Sequence, residues 1–332
     1  MKITASAPGK IALFGEHAVV YGKPAIVSSI DKRIYVTIEE RSDDDLKISA
    51  MDLHIPGIIL TYSKDERLPK VETNFSRVEE AVSYVQKGIY LASEYCGKSK
   101  GVNVEVRSEM PVGAGLGTSA ALSVATAYAY LTLLGSEIKR ESLADLGHKI
   151  EVAVQGSASP MDTAVATFGG LLQVTPLLKG PSIERIGFHQ IPGLVIGYTP
   201  REATTADLLK RVRSLRSSFP EAVESIMSAI GSIVSASRRA LEKGDLASLG
   251  ELMNINHGLL ESLGVSSKRL NDMVYSARYA GALGSKLTGA GGGGCMIALS
   301  PSKENAVKTA IQVEGGIPLA ASLSDIGAKI EG

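Results

Sequence analysis

Along the 332-residue chain the apolar positions change period several times, and each change marks a boundary between elements. In "RIYVTIEE" (33–40) apolar and polar residues alternate, with Ile34, Val36 and Ile38 on one face. That pattern predicts a strand, within a strand-and-turn region covering residues 1 to about 50. Helical spacing then takes over. Val78, Val82, Val85 and Ile89 recur at three to four residues, Ser76 and Glu79 have capping-box spacing, and Gly97 follows as a stop. Alternation returns in Val102, Val104 and Val106, so a strand leads directly into "PVGAGLGTSAA" (111–121). Two helices are predicted next, over "SAALSVATAYAYLTLLG" and "SLADLGHKIEVAVQG".

Glycines and prolines between Gly169 and Pro192 surround a strand-like "GGLLQV" and suggest a division near residue 180. The expected parts are 1–180 and 181–332. The second part carries long amphipathic helices. In "PEAVESIMSAIGSIVSASRRALEKG" one face is Val223, Ile226, Ile230, Ile233 and Val234, with Pro220 before it and Gly244 after it. "SKLTGAGGGGCMIALS" reads as a glycine turn feeding a buried strand.

Composition narrows the classes. A chain with 44% hydrophobic and 21% charged residues is globular rather than disordered. Lys plus Arg equals Asp plus Glu at 35 each, so no net field draws it to nucleic acid or an anionic membrane. The absence of tryptophan leaves little for stacking on bases, and no run approaches a membrane span. Two distant cysteines, Cys96 and Cys295, and a start without an apolar leader give a cytoplasmic expectation.

Any anionic ligand must therefore be held by local geometry. In Pro111-Val112-Gly113-Ala114-Gly115-Leu116-Gly117-Thr118-Ser119, glycines permit close backbone approach and a helix starts at once. Converging N–H groups and the helix dipole would cradle a phosphate there. A tight turn explains the glycines equally well. The spacing is neither a Walker A loop nor a dinucleotide fingerprint. Taken singly, Lys10 reads as a surface lysine, Glu151 and Asp162 as helix-surface or cap residues, and Cys295 as a small buried hydrophobe. His148 and His189 read as surface or satisfied-core histidines.

Three further segments accompany the loop: "APGKIALFGEHAVVYGKPAI" (7–26), "EVAVQGSASPMDTAVATFGG" (151–170) and "KLTGAGGGGCM". Together, in order and spacing, they resemble the signature motifs of the GHMP kinases, and "GEHAVVYGKPAI" resembles the mevalonate kinase family within them. The resemblance implies an α+β, two-domain architecture with the active-site cleft between the domains. It implies transfer of the ATP γ-phosphoryl group to the C5 hydroxyl of mevalonate, as in isoprenoid biosynthesis, with Mg²⁺ as cofactor and a homodimer by analogy. Another small-molecule kinase of the superfamily, acting on phosphomevalonate, homoserine or a sugar, is the alternative, followed by a non-catalytic nucleotide-binding relative.

By the same resemblance, residues 111–119 would wrap the ATP phosphates, and Ser119 and Glu151 would ligate Mg²⁺. Asp162 would serve as catalytic base with Lys10 beside it. Glu16 and His17 would contact the acceptor, the histidine through the carboxylate or C5 hydroxyl. Thr204, Thr205, Gly289 and Ala290 would lie near that acceptor, and His257 is a minor candidate. Glu151 is read on a helix and Asp162 in the loop beyond. Where relatives read Gly-x-Pro-Ser-Gly-x-Asp, this chain has Gly-Ser-Ala-Ser-Pro-Met-Asp, so its proline is displaced.

Overall fold

The computed structural model describes residues 1–52, 59–61, 70–72, 75–111, 114–156, 158–177, 181–187 and 191–332. Its first half contains strands β1 (Lys2–Phe14), β2 (Ala25–Glu40), β3 (Leu46–Asp52), β4 (Ile59–Thr61) and β5 (Lys70–Glu72). Helix α1 (Phe75–Cys96), strand β6 (Val102–Ser108) and helices α2 (Thr118–Leu133), α3 (Arg140–Gln155) and α4 (Pro160–Phe168) follow. Strands β7 (Leu171–Thr175), β8 (Ser182–Arg185) and β9 (Leu194–Thr199) lead into α5 (Thr205–Ser218), α6 (Pro220–Lys243), α7 (Leu246–Ser262) and α8 (Lys268–Tyr279). The chain continues through β10 (Gly284–Thr288), β11 (Gly294–Leu299), α9 (Glu304–Val313), β12 (Ile317–Leu319) and β13 (Lys329–Ile330).

The expected α+β class holds. The larger sheet runs β13-β1-β2-β6-β3, and β7 extends β2 and carries β8. One long strand serves two neighbours: residues 34–40 of β2 pair with β6, while residues 25–28 pair with β7. Alternation in "RIYVTIEE" thus buries Ile34, Val36 and Ile38 completely. The second sheet runs β10-β11-β9-β12, all antiparallel. The division expected at residue 180 falls between β7 and β8, which belong to one sheet, and β13 returns to that sheet from the chain's end.

Helix α2 lies against β1 and β2 and between α1 and α3. Because it meets neighbours on every side, its residues are apolar all round, and Ala120, Ala121, Val124, Ala125 and Ala127 are fully buried. Small side chains allow that close approach. In the second half, α6 buries Val223, Ile230, Ile233 and Val234, with Met227 added, while Ile226 is half-buried. Pro220 opens this helix and Gly244 closes it in the left-handed conformation. Helix α1 begins one residue ahead of Ser76; the side chains of 75–81, including the expected capping pair and Val78, lie outside the described residues. Cys96 and Cys295 are both free thiols. Among the described residues no helix is long and apolar enough to cross a membrane.

Candidate active site

The site starts from a defect in β1. Pairing with β2 shifts register between Pro8 and Lys10, so the Lys10 amide leaves the ladder and donates to the Leu116 carbonyl at 2.7 Å. That bond ties the sheet to the glycine loop. Gly117, at φ +72°, is the N-cap of α2 and supplies no side-chain bond to the helix's first amides. Among the described residues the leading end of a buried helix therefore has no side-chain cap on its first amides, the arrangement that favours an anion. A Cβ on Gly117 would fall 2.6 Å from Cγ of Lys10, so only glycine lets the lysine stem pass. Val112 and Gly113 lie outside the described residues; Ala114 is buried, and Pro111, Gly115 and Ser119 are half-buried.

Lys10 reaches past the loop to Asp162, with Nζ 3.1 Å from Oδ1. Asp162 stands on a helix, not in a loop as expected from sequence. Ser159 accepts a hydrogen bond from the Met161 amide, and Pro160 occupies the first helical position. Those two residues start α4 before the aspartate instead of after it. The displaced proline is thus the helix initiator. The Asp162 side chain, in the first turn, also sits where the helix dipole favours negative charge.

Glu151 lies four residues before the end of α3, buried, and accepts a hydrogen bond from Ser119 Oγ at 2.8 Å. Burial, and secondarily the nearby charge of Asp162, push its carboxyl up to about 7; Ser119 and Lys10 oppose the shift. Lys10, Ser119, Glu151 and Asp162 thus form one electrostatic cluster around the start of α2.

The remaining expected residues divide. His17 is buried, and its Nε2 lies 2.8 Å from the Ala290 carbonyl oxygen. Burial lowers its pKa, outweighing Ala290 and the Glu16 charge, and favours the neutral ring. Glu16 is engaged elsewhere: Lys286 takes Oε1, and Asn256 donates to Oε2 at 3.3 Å. Gly289 lies near the loop, its Cβ direction 3.6 Å from the Gly115 carbonyl oxygen. Thr204 is the N-cap of α5 in a capping box with Asp207. Thr205 accepts from Arg201 Nη1 at 3.1 Å.

Arg201 carries no signal in the sequence, yet its Nη2 lies 2.7 Å from the point a Gly115 Cβ would occupy. A guanidinium therefore caps the glycine loop from the second half of the chain. His257 is fully buried and accepts from the Leu287 amide, and burial takes its pKa down to about 3. His148 is half-buried, and His189 lies outside the described residues. Cys295 is buried, and its thiol is pushed up to about 12, fitting an inert core group.

Residues 78–170 match the model of the GHMP kinases N terminal domain, and residues 237–314 that of the GHMP kinases C terminal domain. A mevalonate kinase of Pyrococcus horikoshii is 46% identical over 99% of this chain and 98% of its own length. The chain belongs to the mevalonate kinase family of GHMP kinases. Among solved structures, an L. major mevalonate kinase in complex with R-mevalonate superposes with a TM-score of 0.84 at 27% identity, covering 97% of this chain and 96% of that one. The Methanococcus jannaschii mevalonate kinase superposes at 0.78 with 26% identity, covering 98% of both chains.

Proposed function

We infer that this chain is an ATP-dependent mevalonate kinase, moving the γ-phosphoryl group to the C5 hydroxyl of mevalonate to give 5-phosphomevalonate and ADP. The observation that carries the chemistry is the 3.1 Å Lys10–Asp162 ion pair beside the uncapped start of α2. Phosphoryl transfer asks mainly for positioning and charge neutralisation, and both are available around that pair.

In this reading the described loop residues Ala114–Ser119 present amides to the ATP phosphates, and Arg201 adds positive charge above Gly115. Asp162 orients the C5 hydroxyl and takes its proton as the new O–P bond forms and the bond to the ADP oxygen breaks. Lys10 pairs with that carboxylate at 3.1 Å and faces the charge on the transferring group. His17 contacts the acceptor, with Gly289 and Ala290 lining its side of the site.

The chain's residues fit Mg²⁺. Ser119 and Glu151 offer a hydroxyl and a buried carboxylate already in contact at 2.8 Å. An all-oxygen pair completed by phosphate and water is the usual Mg²⁺ arrangement. Among the described residues no cluster of three acidic, histidine or cysteine side chains builds a protein-only metal cage. Bound there, the ion would neutralise phosphate charge.

The test is ADP release with ATP and Mg²⁺ across mevalonate, phosphomevalonate, homoserine and galactose. Turnover of mevalonate well above the others is expected. Turnover of homoserine or galactose without mevalonate would overturn the assignment.

A further inference from the structure

We propose that Lys286 and Glu16 are positioning residues for the acceptor site: their buried ion pair across the two halves of the chain holds His17 with Nδ1 as a hydrogen-bond acceptor for a substrate hydroxyl. The inference rests on the kinase reading above and deepens it, by replacing Glu16 as an acceptor ligand and by selecting hydroxyl over carboxylate as the group His17 meets.

The backbone around His17 needs holding. His17 has φ 61° and ψ −44°, and among the described residues it is the one non-glycine with positive φ. The Ala18 amide donates to the Glu16 carbonyl at 2.7 Å, closing a three-residue turn about His17. Such a γ-turn with positive φ is rare and strained, and it persists where its surroundings over-determine it.

Those surroundings come from β10 and the turn after it. Alternation along the strand puts Lys286 and Thr288 on one face, toward the end of β1. Thr288 Oγ1 accepts from the Ala12 amide and donates to the Ala12 carbonyl, both at 2.9 Å. Lys286 pairs with Glu16 Oε1 and also donates to the Leu287 carbonyl at 2.7 Å. Ala290 then takes the His17 ring. Residues 12, 16 and 17 are thus gripped in turn by 288, 286 and 290.

The ion pair is wholly enclosed, with 0% and 2% of the two side chains exposed. Burying two charges is no general route to stability, since an apolar pair of the same size serves as well or better. Its geometric consequence is specific. Both Glu16 oxygens are taken up, by Lys286 and Asn256, so the residue before the strained turn cannot rotate.

The ring follows from elementary chemistry. A carbonyl oxygen only accepts, so Nε2 of the neutral ring carries the hydrogen that Ala290 receives. Nδ1 is then a bare acceptor; it is buried and has no partner among the described residues. An acceptor of that kind takes an O–H hydrogen and repels a carboxylate.

Two measurements on the full chain test this. Ring ¹⁵N NMR of the wild type, with His17 assigned through His17→Gln, should show the Nε2–H form at neutral pH and a shift at Nδ1 when mevalonate is added. An Nδ1–H or doubly protonated ring would overturn the proposal. The double variant Glu16→Leu/Lys286→Met should keep its thermal midpoint near wild type, while KM for mevalonate rises about tenfold. KM for ATP should stay unchanged. A stable double variant with wild-type KM for mevalonate would reduce the pair to a structural element and sink the idea. If that variant does not fold, Asn256→Ala, which frees only Oε2, should raise KM for mevalonate about threefold, and no rise would be equally fatal. A wild type that fails to phosphorylate mevalonate would overturn the functional reading yet leave the wild-type tautomer decisive here.

Discussion

Two lysine–carboxylate pairs stand close together in sequence at their first-half ends, and their environments separate them. Lys10–Asp162 leaves 10% and 27% of its side chains exposed, joins two elements of the first half, and opens toward the glycine loop. Glu16–Lys286 is sealed, joins the two halves, and reaches no solvent. The first pair stays partly exposed beside the glycine loop; the second has both carboxylate oxygens committed to the protein. In the proposed mechanism identical functional groups serve chemistry in one place and alignment in the other, because only one pair keeps any exposure to solvent.

The largest test of that contrast is Asp162→Ala. It should lower kcat about 10²–10⁴-fold, read by ADP release, with only a small change in the thermal midpoint. An unchanged kcat would remove Asp162 from the mechanism whatever the substrate. The sealed pair should behave oppositely: Lys286→Met alone leaves a buried carboxylate uncompensated and should cost about 3–5 kcal/mol in denaturant unfolding. A loss below about 1 kcal/mol, the range of exposed pairs, would erase the distinction.

Glu151 sharpens the comparison through pH. Its carboxyl is raised in the folded chain to about 7 from an ordinary value of 4.5, so the folded state holds a proton that the unfolded state has released. Stability from this group is therefore full below about 4.5 and is lost as pH rises toward about 7, by up to about 3 kcal/mol. Chemical unfolding of the nucleotide-free protein between those pH values should show the decline, and Glu151→Gln should flatten it. The smallest effect belongs to Thr204, whose hydroxyl caps α5. Thr204→Ala should lower stability by about 1 kcal/mol and leave kcat nearly unchanged; a large drop in kcat would return this threonine to the acceptor site.

Periodic segments were legible before any coordinates: the strand at 33–40, the helix ending at Gly97, and α6 between Pro220 and Gly244 all lie where their patterns predict. They were legible because burial of one face is a local rule, repeated along the chain. Asp162 was misread as a loop residue because its helix starts from a single serine and proline, too short a signal for any period to register. Arg201 and Lys286 belong to no local pattern that marks them. A lone cation in a sequence looks like a solvated one, and nothing nearby announces the glycine loop or the glutamate that it will meet 86 or 270 positions away.

By itself, then, the chain's sequence determined the strand and helix segments, the glycine-lined start of α2, and the motif residues that identify a phosphoryl-transfer family. All of these depend on neighbours within a few turns of the chain, or on several short motifs keeping their order and spacing. Only the tertiary structure decided which carboxylate stays partly exposed beside the glycine loop and which is locked away, and which nitrogen of His17 has no partner among the described residues. Those outcomes depend on burial and on partners from the opposite half of the chain, and neither quantity exists until the two sheets have come together.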